Sequence, residues 1–112
     1  MKKILFLILF CLICSFAYAH PPKDIIITFD AQSKILKAVI MHDVANPENH
    51  YIKTIDVGLN GKEILSQKIS RQEKNVSQTV SYLIPDAKVG DTLSVEGYCS
   101  ISGKLEKEIR VQ

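Results

Sequence analysis

From residue 24 to residue 111 the chain repeats one pattern: short segments rich in Ile, Val, Leu and Tyr, set between turn-forming residues. The segments are 24–29, 34–42, 50–59, 62–69, 77–83, 92–99 and 104–111. Within them apolar residues fall two apart, as in Ile25, Ile27 and Phe29, in Ile55, Val57 and Leu59, and in Leu93, Val95 and then Cys99. Successive side chains of a strand point to opposite faces, so this spacing buries one face and wets the other. Asn60-Gly61 is a two-residue hairpin signal, while Pro85-Asp86, Gly90-Asp91 and Ser102-Gly103 mark further turns. Seven short strands with almost no helix predict an all-β, immunoglobulin-like antiparallel β-sandwich. A barrel would call for longer and more uniform hairpins. No internal repeat or low-complexity tract divides the chain, and the polar stretch from Ser70 to Asn75 is expected to be a solvated loop.

The opening residues carry a different signal. Lys2 and Lys3 precede an apolar run from Ile4 to Ile13, followed by the small-residue tripeptide Ala17-Tyr18-Ala19. This order is that of a secretory signal peptide, with cleavage expected after Ala19. The run is shorter than the ~18 apolar residues that span a bilayer, and none of that length follows, so no membrane span is expected in the mature form. A lipid anchor would need a small residue just before its cysteine, and Phe10 precedes Cys11 while Ile13 precedes Cys14. The expected organisation is a signal over residues 1–19 and one sandwich domain over 20–112, exported to the periplasm or the extracellular space.

Export changes the charge and the thiol count. The chain has 14 basic and 12 acidic residues, and loss of Lys2 and Lys3 leaves 12 of each. The basic excess belongs to the signal, which removes any electrostatic ground for nucleic acid as a partner. Of the three cysteines, Cys11 and Cys14 leave with the signal and Cys99 remains. One thiol allows no internal disulfide, and in an oxidising compartment it must be buried, paired with another chain or held by a metal.

The three histidines fall where strands begin or end: His20 at the start of the mature chain, His42 after one predicted strand and His50 before the next. The loop from His42 to His50 would hold two imidazoles at a sandwich edge, where a neighbouring loop can bring Cys99 alongside. Imidazole nitrogen and thiolate sulfur make a good donor set for a transition metal. A metal would also stabilise the thiolate of an exported cysteine. The bland alternative is a set of solvated loop histidines and a small buried hydrophobe. Tyr51 and Tyr98 read as packing residues, and Asp43 and Glu48 as loop carboxylates. No Ser-His-Asp set, paired acid motif or phosphate-binding glycine loop is present, so no catalytic group beyond metal ligands is expected.

These residues resemble the superoxide reductase family, the iron-binding domain of desulfoferrodoxin and neelaredoxin. The matching segments are Ala19-His20-Pro21-Pro22, His42 leading to His50-Tyr51-Ile52-Lys53-Thr54-Ile55, and Tyr98-Cys99-Ser100-Ile101-Ser102-Gly103. They keep the family's order along the mature chain. The resemblance implies an immunoglobulin-like sandwich and one iron held by His20, His42, His50 and Cys99, with Cys99 as the axial donor. It further implies superoxide as substrate and an external electron-donor protein. Ser102 stands where the family has a fourth histidine, and the lysine that precedes the family's first histidine is absent; Lys23 is near but not equivalent. Copper is the alternative metal, because cleavage before His20 would place a free α-amino group beside an imidazole and nitrogen and sulfur sites favour copper by affinity. That alternative corresponds to a non-enzymatic periplasmic metal-binding or carrier module.

Overall fold

The computed structural model describes residues 20–112, and the expected signal over 1–19 lies outside the described residues. Seven strands follow one another: β1 (Asp24–Asp30), β2 (Ile35–Met41), β3 (Ile52–Leu59), β4 (Lys62–Lys68), β5 (Ser77–Leu83), β6 (Thr92–Cys99) and β7 (Lys104–Arg110). They form a three-stranded sheet in the order β1-β2-β5 and a four-stranded sheet in the order β4-β3-β6-β7. Every neighbouring pair is antiparallel. With β1, β2 and β5 as strands A, B and E, and β3, β6 and β7 as C, F and G, this is the immunoglobulin-like sandwich, with β4 beside C.

Alternation builds the core as the sequence predicts. Leu36, Ala38 and Ile40 of β2 are fully buried, as are Ile52, Ile55 and Val57 of β3 and Leu93 and Val95 of β6. Each interleaves with more exposed residues of the same strand. Ile25 and Val80 extend the cluster from β1 and β5. The β3–β4 hairpin closes through Asn60 and Gly61, both at positive φ (52° and 83°), the geometry that asparagine followed by glycine supplies with least strain.

The predicted segments end slightly differently at the edges. Lys34 sits at a left-handed φ of 62°, which breaks the extended backbone before β2. His50 belongs to a turn, because its N–H donates to the Asn46 carbonyl at 3.0 Å, and β3 begins only at Ile52. A register shift between Ile52 and Thr54 against β6 marks a β-bulge at the entrance to β3.

Strand direction decides where the chemistry lies. The start of β1, the β2–β3 loop, the β4–β5 loop and the β6–β7 turn all emerge at one pole of the sandwich, as antiparallel pairing requires. All three histidines and Cys99 are at that pole.

Two packing details anchor the pole. A Cβ on Gly97 would come 3.3 Å from Ile40 Cγ2 and 3.7 Å from Pro22 Cγ, so the bare backbone of β6 admits both side chains. Gly103, at φ +90°, lies so close to Pro21 that a Cβ would meet its Cα, Cβ and N at 3.0 Å. The β6–β7 turn therefore presses on the arm that carries His20. Gly103→Ala is expected to destabilise the domain by roughly 1–3 kcal/mol through left-handed strain, before any cost of pushing Pro21 away. Chemical denaturation of the two proteins checks this, and equal midpoints would contradict it.

Candidate metal centre

Each candidate donor arrives on a separately anchored piece of backbone. His20 is carried by an arm whose Pro22 is buried beside Gly97 and whose Lys23 N–H donates to the Met41 carbonyl at 2.8 Å, continuing the β1–β2 ladder. His42 leaves β2, but its N–H still donates to the Val76 carbonyl at 2.9 Å, which keeps it in line with β5. His50 closes the turn begun by Asn46, whose side-chain oxygen accepts from the Glu48 N–H at 3.0 Å. Cys99 ends β6, with its N–H on the Gly103 carbonyl at 2.9 Å.

A reciprocal clamp joins the last two pieces. The Tyr51 N–H donates to Ser100 Oγ at 3.1 Å, and the Ser100 N–H returns to the Tyr51 carbonyl at 2.8 Å. This pins the residue after His50 to the residue after Cys99. The consequence is a distance of 3.2 Å between Cys99 Sγ and His50 Nε2.

The three imidazoles converge. Ring centroids are 5.0 Å apart for His20 and His42, 5.2 Å for His20 and His50, and 4.9 Å for His42 and His50. One nitrogen from each ring lies within 4.8 Å of the others. Three nitrogens evenly spaced about one ion at ~2.1 Å stand ~3.6 Å apart, so a movement of under ~1 Å by each nitrogen brings all three into bonding range. The three histidines can thus hold a metal ion. Cys99 is not one of that group of three, and its sulfur meets one member of it, His50; for comparison, donors at ~2.1 and ~2.3 Å from one ion are ~3.1 Å apart at a right angle and ~3.6 Å apart at a tetrahedral angle. The observed 3.2 Å is close to the right-angle value.

Burial grades the set. His42 is fully buried, Cys99 is 2 % exposed, and His20 and His50 are half-buried, so the cluster opens to solvent on one side. Burial pushes the His50 imidazole below its ordinary value of 6.5, helped by repulsion from His42 and His20. The shift favours the neutral ring, which is the form that binds a metal.

No protein-family model matches the chain, and neither a curated protein nor a solved structure matches it. The functional reading therefore rests on the geometry of the cluster.

The remaining expectations sort themselves around this cluster. Asp43 forms an ion pair with Lys23 at 2.7 Å, which ties the β2–β3 loop to the N-terminal arm and holds the Asp43 carboxyl below its usual range. Both side chains are more than half exposed, so the pair adds little stability. Glu48 pairs with Arg71 in the same exposed manner. Tyr98 follows strand alternation to the face opposite Cys99, where its hydroxyl donates to Glu96. Ser102 is exposed in the β6–β7 turn and brings no imidazole to the cluster.

One residue of the site escaped the sequence reading. Gln72 lies in the polar stretch expected to be solvated, yet it is 1 % exposed and its side chain reaches His42. Its neighbours Arg71, Glu73, Lys74 and Asn75 are exposed as expected, and no pattern in the sequence distinguishes Gln72 from them.

A metal that binds the folded chain alone must stabilise it. Zinc at one hundred times its dissociation constant is expected to add ~2.7 kcal/mol to the unfolding free energy. His50→Gln, at a half-buried position, is expected to keep the fold and lose most of that gain. Thermal unfolding with and without zinc measures both. An equal zinc shift in the two proteins would remove His50 from the site.

Proposed function

We propose that the chain is an exported mononuclear metalloprotein resembling superoxide reductase, in which His20, His42, His50 and Cys99 hold one iron. The observation that carries this reading is the cluster of three imidazoles at one pole, with Cys99 Sγ 3.2 Å from one of them, at His50 Nε2. Three nitrogens and one sulfur suit a redox-active transition metal better than magnesium or calcium, which take oxygen donors. Export to an oxidising compartment agrees with a thiol kept buried and committed to a ligand role.

Bound there, an iron would supply the one electron that, with two protons, converts superoxide to hydrogen peroxide, and an external donor protein would have to replace that electron. The chain contributes the rest. His42 and Cys99 form the buried floor, His20 and His50 form a half-open rim through which a small anion enters, and the core beneath excludes water from the sulfur.

Ser102 supports a second reading. With a serine in place of a fourth imidazole, the protein side chains offer four donors, which suffices for a copper or iron carrier without turnover. Consumption of superoxide by the iron-loaded protein, followed by stopped flow with peroxide quantified, separates the two. The reductase reading predicts that peroxide forms without the oxygen released by dismutation, and that Cys99→Ser falls to the rate of an equivalent iron salt. Iron-loaded wild-type protein that leaves superoxide untouched would favour the carrier. A folded protein that retains no metal would leave only the sandwich.

A further inference from the structure

Gln72 hydrogen bonds to His42 in a way that determines which ring nitrogen carries a proton. Its Nε2 donates to the His42 carbonyl at 2.7 Å and to the Lys74 carbonyl at 2.8 Å. A primary amide nitrogen has two protons, and both are thereby committed. The amide cannot be turned the other way, because Oε1 would then face two carbonyl oxygens. Oε1 consequently points at His42 Nδ1 as an acceptor at 2.9 Å, and Nδ1 must donate. The neutral ring then keeps its lone pair on Nε2.

That lone pair faces the cluster. His42 Nε2 lies 3.3 Å from the His20 carbonyl oxygen, so in the neutral Nδ1-protonated ring two acceptors oppose each other. Positive charge between or beside them resolves the opposition, and a metal cation supplies it without a proton on a fully buried ring. The backbone of Gln72 is fixed as well, its N–H donating to the Pro47 carbonyl at 3.0 Å. This bond ties the β4–β5 loop to the loop that carries His50.

We infer that Gln72 is a positioning residue of the metal site, which holds the His42 ring in the Nδ1-protonated tautomer and aims Nε2 at the ion. The inference rests on the metal-binding reading for its second half only; the proton on Nδ1 follows from the hydrogen bonds alone. Ligating histidines commonly donate their second nitrogen to an oxygen acceptor, and loss of such an acceptor typically lowers metal affinity about 10–100-fold. Here the acceptor is a neutral amide, so the ion meets no added anionic charge behind His42.

The experiment is a long-range proton–nitrogen spectrum of the histidine rings, recorded on metal-free and zinc-loaded protein, for wild type and Gln72→Met. Methionine keeps the length and volume of glutamine and removes the acceptor. Wild-type His42 is expected to be protonated at Nδ1 in both forms, and zinc is expected to shift its Nε2 resonance. Gln72→Met is expected to show a mixture of tautomers when metal-free and to bind zinc about 10–100-fold more weakly by competition with a chelator.

Wild-type His42 protonated at Nε2 alone would overturn the inference whether or not the variant folds. So would a folded variant with an unchanged tautomer and unchanged zinc affinity. An Nδ1 proton in place with no zinc-dependent shift in any ring would uphold the lock while refuting the metal site, so the two failures are distinct.

Discussion

Ile40 packed into the space left by Gly97 joins the two sheets two residues short of the site. Alternation then carries the chain from Ile40 to His42, just past the end of β2, and from Gly97 to Cys99 at the end of β6, with both side chains buried. The separation of the sheets at this point therefore sets how far the histidine of one sheet stands from the cysteine of the other. Pro22 enters the same space, so the arm that carries His20 is placed by the same contact. Cores are packed at crystal-like density and resist volume changes, and a site built two residues above such a contact inherits its stiffness.

Turns then complete the geometry that the sheets begin. The Tyr51–Ser100 clamp sets His50 against Cys99, and Gln72 sets the rotation of His42. Gly103 seats the β6–β7 turn on Pro21. The effect of these contacts is on orientation, which is what a metal site demands of its second layer of residues.

Most of the fold was legible in the sequence because period-two alternation and turn chemistry are local signals. Asn60-Gly61 declared its hairpin, and Ile55, Val57 and Leu59 declared an inward face. The three clustered histidines were legible too, because histidine at strand ends stands out from packing residues. What escaped was relational. Whether Gln72 is solvated depends on a carbonyl two residues away and an imidazole thirty residues back. The β-bulge at the start of β3 and the positive φ of Lys34 shift element boundaries through pairing with distant strands, which no local window contains.

The central claim is that three imidazoles and one thiolate bind one transition-metal ion at the histidine pole. X-ray absorption at the metal edge, on protein exported and processed by its host and loaded with iron, tests it most directly. The account predicts one iron per chain with nitrogen neighbours at ~2.1 Å and one sulfur at ~2.3 Å. A first shell of nitrogen and oxygen alone, with Cys99 still titrating as a free thiol, would contradict it.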